Sequence, residues 1–93
     1  MPVTALVLIK ARTDRINEVA TALAEIDGVT EVFSVAGRYD LVANVRGERN
    51  EDIADLVSGK MHKVQGIVES ETLIAFRVYR KSDLDAGFSL GAD

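Results

Sequence analysis

Apolar residues along this chain recur with a spacing that switches between two and nearly four, and each switch marks a predicted element boundary. Val3 to Lys10 is apolar at both parities, with Val3, Ala5, Val7 and Ile9 on one side and Leu6 and Leu8 on the other. That pattern predicts a strand whose two faces both need cover. Ile16, Val19, Ala20, Leu23 and Ile26 then recur at helical spacing, with Arg15, Glu18, Thr21 and Glu25 on the far side. Thr13 or Asp14 is the expected cap of this helix and Gly28 its stop. Val29 to Val35 alternates again, the turn Ala36-Gly37-Arg38-Tyr39-Asp40 follows, and Asp40 to Arg46 reads as a third strand paired with the second in a hairpin. Asn50 is the expected cap of a second helix built on Ile53, Leu56, Val57, Lys60 and Met61. Glu51 and Asp52 lie in its first turn, and Lys60, His62 and Lys63 in its last. Gly66 breaks that helix, and Ile67 to Arg80 predicts a long final strand.

The order is strand, helix, strand, strand, helix, strand. Right-handed crossovers put the first and third strands in the middle and both helices on one face. The fold class is therefore α+β, a ferredoxin-like βαββαβ antiparallel sheet. Its second face stays uncovered, although Ile74, Phe76 and Val78 occupy one side of the last strand and Leu73, Ala75 and Tyr79 the other. An apolar face of that size predicts a two-fold dimer, forming a dimeric α+β barrel.

At 93 residues the chain is one domain. Residues 1–80 carry the periodic elements, and residues 81–93 form a polar tail with Gly87 and Gly91, expected to be mobile or partner-dependent. A net charge of -4 gives no electrostatic footprint for direct nucleic-acid binding. The absence of cysteine excludes disulfides and thiolate metal sites, and His62 is the single histidine, so no metal or cofactor is expected. The apolar run from Ala5 to Ile9 is too short to span a membrane, and the start lacks signal-peptide character, so the expected location is the cytoplasm.

The candidate chemistry gathers at the hairpin turn. Gly37 can take a positive φ, and Asp40 stands where its strand begins. A carboxylate beside free main-chain carbonyls can hold the ammonium of a zwitterionic amino acid, and it can equally bond the local backbone. Tyr39 suits either packing or ligand contact. Arg38 suits a ligand carboxylate, a neighbouring subunit or solvent. Ser70 and Thr72 lie two apart on the last strand, so both hydroxyls leave one face, while Glu69 and Glu71 share the other. Those two carboxylates lack the tuned environment of an acid/base pair. His62, near a helix end, is expected to meet the last carbonyls.

Strand Ala5-Leu6-Val7-Leu8-Ile9, helix end Ile26-Asp27-Gly28-Val29, turn Gly37-Arg38-Tyr39-Asp40-Leu41 and closing segment Gly66-Ile67-Val68-Glu69-Ser70-Glu71-Thr72 together resemble the effector-binding (RAM) domain of the Lrp/AsnC family of transcriptional regulators. The resemblance runs from Val3 to about Arg80. It implies a homodimer that assembles further, often to an octamer, with small amino-acid effectors bound between dimers. It also implies that Gly37, Arg38, Tyr39 and Asp40 form the effector loop and that Ser70 and Thr72 face the same cleft. Ser70 departs from the Thr more usual at its position, keeping the hydroxyl and losing a methyl. Family members usually carry an amino-terminal helix-turn-helix domain; here Met1 immediately precedes the first strand, so the chain reads as a stand-alone sensor. Such a sensor would signal through a full-length regulator of the family or another partner. The alternatives are a small dimeric α+β barrel enzyme of monooxygenase or isomerase type, and an assembly module with a decayed pocket.

Overall fold

The computed structural model describes residues 2–81; Met1 and the tail from Ser82 onward lie outside the described residues. The elements are β1 (Val3–Ala11), α1 (Ile16–Ala24), β2 (Val29–Ser34), β3 (Leu41–Gly47), α2 (Asn50–Gly59) and β4 (Ile67–Ile74). The strands form one antiparallel sheet in the order β2-β3-β1-β4. This is the expected ferredoxin-like α+β arrangement, with β1 and β3 central.

The parity of β1 decides which side becomes the core. Ala5, Val7, Ile9 and Ala11 are buried, as are Leu41, Ala43 and Val45 of β3. Against them pack Val19 and Leu23 from α1, Ile53, Leu56 and Val57 from α2, and Met61 just beyond it. A fully buried Val or Leu contributes about 1.5–3 kcal/mol relative to exposure, so this layer supplies the main drive to fold. Both helices therefore share one sheet face, and their exposed flanks carry the charges.

Several boundaries differ from the sequence reading. Thr13 to Arg15 form a single 3-10 turn ahead of α1, and neither Thr13 nor Asp14 caps the helix. Asp14 is instead drawn to Arg12, 3.1 Å away. The first helix ends at Ala24, short of Ile26. At α2 the cap position is Arg49, and Asn50 is the first helical residue. The Asp52 carboxylate accepts the main-chain N–H groups of Glu48 and Arg49 at 3.1 and 3.0 Å, satisfying donors that the helix cannot. Helix α2 stops at Gly59, and Met61–Lys63 form a separate 3-10 turn.

The largest difference is at β4, which ends at Ile74 rather than Arg80. Ala5 pairs with Ile74, and the Ala75 N–H still reaches the Thr4 carbonyl at 2.9 Å. The paired register of β1 with β4 stops there although β1 itself begins at Val3, so the ladder ends before either segment does.

The second face remains open. Cross-strand partners share a face, so Leu6, Leu8, Phe33, Val42 and Leu73 project away from the helices. Leu6, Phe33 and Leu73 are exposed, and Phe76, just past β4, is 98% exposed. The apolar second face that the alternation implied is present.

Gly66 joins the second helical region to β4 with φ 104°. A Cβ there would lie 2.8 Å from Val19 Cγ2 and 3.1 Å from Arg15 Cβ, while the Gly66 carbonyl accepts the Arg12 N–H at 2.8 Å. Gly66→Ala is expected to lower unfolding stability by about 1–3 kcal/mol. The check is a lower denaturant midpoint at unchanged slope.

Candidate functional site

The Gly37–Asp40 turn is held at three points. Asp40 anchors its base: the main-chain N–H donates to the Ile9 carbonyl at 2.9 Å, and carboxylate Oδ2 accepts the N–H of Ala11 at 2.9 Å. Ala11 lies where the register of β1 against β4 shifts, so the carboxylate satisfies a buried amide at an irregular strand end. The backbone-bonding reading of Asp40 is thus what one of its oxygens does. Among the described residues no hydrogen bond reaches the other oxygen.

Tyr39 supplies the second tie. Its hydroxyl donates to Glu71 Oε1 at 2.7 Å, across to β4. Acceptance by that carboxylate raises the phenol pKa above its ordinary 10.0, helped by desolvation and by the negative charge of Glu71. The third tie is Lys10 Nζ, which donates to the Arg38 carbonyl at 3.3 Å. The Arg38 guanidinium lies 6.0 Å from the Tyr39 ring centroid, at the outer reach of a cation–π contact. Gly37, at φ 135°, has nothing within 4 Å of where a Cβ would stand, so the tip is free above its tied base.

The register of β4 separates the predicted site residues. Ser70 is opposite Ile9 and Thr72 opposite Val7, which places both hydroxyls on the helix side of the sheet. Glu69 is opposite Lys10 and Glu71 opposite Leu8, on the open side. One chain therefore brings Arg38 and Tyr39 together with Lys10, Glu69 and Glu71, and does not bring Ser70 and Thr72 to them. Ser70 Oγ instead lies 3.0 Å from His62 Nε2, so His62 meets a strand hydroxyl rather than helix carbonyls. The involvement of Lys10 and Glu71 escaped sequence reasoning. The signal was present in the pairing of β1 with β4, which brings those side chains to one face.

A hollow of about 200 Å3 is lined by Lys10, Arg38, Tyr39 and Glu69. A larger one, about 420 Å3, lies at the other end of β1, walled by Pro2, Thr4, Arg46 and the chain after β4. No predicted site residue lines the larger one, so the smaller is the relevant feature of the turn. Among the described residues no group of three or more metal-ligating side chains occurs, and no helix is long and apolar enough to cross a membrane.

The strands and helices thus set a charged hairpin turn beside an open apolar face on a ferredoxin-like sheet. The chain matches the Lrp/AsnC ligand binding domain over residues 4–84, and it belongs to that family. An uncharacterised helix-turn-helix-type transcriptional regulator of Pyrococcus furiosus is 36% identical over 76 residues, covering 78% of this chain and 51% of that protein. The chain thus spans about half the length of that curated relative. A protein of Thermus thermophilus has a crystal structure with TM-score 0.80 and 43% identity, covering 85% of this chain and 99% of that one. A feast or famine regulatory protein of M. tuberculosis, complexed with L-methionine, shares the fold at TM-score 0.72 and 20% identity, over 85% of this chain and 53% of that one.

Two outcomes follow from the ties. Asp40→Ala strands the buried Ala11 amide and is expected to cost about 1–3 kcal/mol in unfolding experiments, whereas Asp40→Asn keeps an acceptor there and costs less. In a Tyr79→Phe background, Tyr39 should ionise above pH 10.0 by ultraviolet titration, and Glu71→Ala should bring it back towards that value. Because the folded phenol pKa is raised, its contribution to stability is full below pH 10.0 and fades as pH rises through the folded value.

Proposed function

We propose that this chain is a non-catalytic amino-acid sensing and oligomerisation module that serves transcriptional regulation of amino-acid metabolism. The observation that carries the reading is the family membership combined with a turn whose base is pinned by Asp40 and Tyr39 while its Gly37 tip stays free. A small zwitterion is the ligand class suited to such a turn, with main-chain groups and charged side chains at hydrogen-bonding range. The L-methionine complex of the mycobacterial relative supports the same class. Residues 1–80 form the effector-binding unit, with Gly37, Arg38, Tyr39 and Asp40 as the effector loop.

Assembly is part of the proposal. Leu6, Phe33, Leu73 and Phe76 offer an apolar surface for a second copy. Asn44 supports cover as well: it is opposite Leu6 on that face, and its Oδ1 is buried without a hydrogen-bond partner among the described residues. A stable interface of ordinary size buries about 800 Å2 per partner, which a sheet face can supply. Further association to an octamer would let Ser70 and Thr72 of one copy approach the turn of another, although they lie on the opposite sheet face within their own chain. The net charge of -4 supports a module that does not itself grip DNA and signals through a DNA-binding relative or another partner. The non-catalytic reading is supported by relatives named as transcriptional regulators. A cytoplasmic location accords with that role.

Thermal-shift screening of the twenty amino acids, with light scattering on the same sample, tests this. Stabilisation by at least one amino acid is expected, weakened in Asp40→Asn, from a species no smaller than a dimer. A strict monomer that responds to none, or turnover of a phenolic or lactone substrate, would overturn it.

A further inference from the structure

The hollow of about 420 Å3 lies at the end of the sheet opposite the hairpin turn. Thr4 and Arg46, direct partners near the last rung of the β1 and β3 ladder, line it from the open face, and Arg77, Tyr79 and Arg80 line it from the chain after β4. The main chain is tied down on the sheet side: the Thr4 carbonyl accepts the Ala75 N–H at 2.9 Å, and the Arg46 N–H donates to the Gly28 carbonyl at 2.8 Å. Three guanidinium groups share this one hollow and no described wall residue is acidic, in a chain with fifteen Asp and Glu against eleven Lys and Arg. Among the described residues no hydrogen bond or ion pair engages the side chain of Arg46 or Arg77. Tyr79 is 70% exposed, so its ring is open to a partner.

We propose that this hollow binds a planar organic anion, a flat ring bearing a phosphate or carboxylate, with Arg46 and Arg77 receiving the anionic group and the Tyr79 ring stacking on the plane. A guanidinium presents its donors in a fixed fork that matches carboxylate and phosphate oxygens two at a time. Like charges gathered without a counter-charge repel, so an anion between them relieves that repulsion as well as gaining hydrogen bonds. A simple inorganic ion meets the same guanidinium groups but leaves the tyrosine ring in water, and a neutral ring leaves the charges unopposed. A ligand with both parts makes both contacts while losing its freedom of motion once, so it binds more tightly than either part alone. The volume is also that of a small-molecule site, which runs from about 300 to 1,000 Å3. No residue of the Gly37–Asp40 turn lines this hollow, so the proposal is independent of amino-acid sensing.

The test is calorimetric titration of the full chain with two series of probes. AMP is compared with adenosine and with inorganic phosphate, and 1-naphthoate with 1-naphthamide and with acetate. In at least one series the compound that has both ring and charge should bind about tenfold or more tightly than either partial compound, as gain of a charge-assisted contact implies. The series that responds identifies the anionic group as phosphate or carboxylate. Arg46→Met and Arg77→Met should each weaken that compound about tenfold and leave its neutral analogue unchanged. Tyr79→Ala should weaken it about fivefold or more, and Tyr79→Phe, which keeps the ring, should not. All three side chains are exposed, so the variants should keep the parent's circular dichroism spectrum, and any thermal shift given by amino acids should persist in them. Failure of both AMP and 1-naphthoate to bind, equal affinity for the partial compounds, or binding that survives both arginine substitutions would overturn the site while leaving amino-acid sensing in place.

Discussion

Because β1 runs through the middle of the sheet with Ala5, Val7, Ile9 and Ala11 pressed against two helices, its neighbours inherit a fixed assignment of faces. A slip of one residue on either side would turn apolar groups out and charges in. The same constraint that builds the core therefore also delivers Lys10, Glu69 and Glu71 to the opposite surface. Leu6, Leu8 and Leu73 arrive there with them. Core and open face are two consequences of one strand whose side chains alternate between them.

The hairpin turn depends on that strand too. Asp40 closes the last rung beside β1 with a main-chain donor to Ile9 and a side-chain acceptor for Ala11. Tyr39 reaches past β1 to the edge strand. The turn is consequently braced against two strands outside its own hairpin, with open space beside Gly37 at its tip. Groups tied in this way are held in place before any partner meets them.

The fold was legible because its signals are local and repeated. Val3 to Ile9 is an apolar run of strand length, α1 and α2 show helical spacing, and Gly28 and Gly66 stand where the chain turns at positive φ. The capping errors have a local cause. Thr13, Asp14 and Asn50 are good caps in isolation, but Asp52 satisfied the donors ahead of α2 from within the helix, and a 3-10 turn displaced the start of α1. The overlong last strand reflects what periodicity lacks: residues 75–80 alternate well, yet alternation does not say where pairing with a neighbouring strand stops, here at Ala5 and Ile74. At the site, the turn residues were visible as chemistry, whereas Lys10, Glu69 and Glu71 gain meaning only from register. The division of Ser70 and Thr72 from Glu69 and Glu71 was readable, but which pair shares a face with Tyr39 depended on how β4 pairs.

The bond from Asp40 to Ala11 bears on which positions of the turn can change in descendants of this chain. A residue that both shapes an exposed turn and completes the scaffold is a poor place for innovation, since most replacements there would weaken the scaffold first. Arg38 and Glu69 carry no such obligation, being exposed and outside the core. Evolutionary drift is therefore channelled to the rim of the turn, with the acidic anchor left in place.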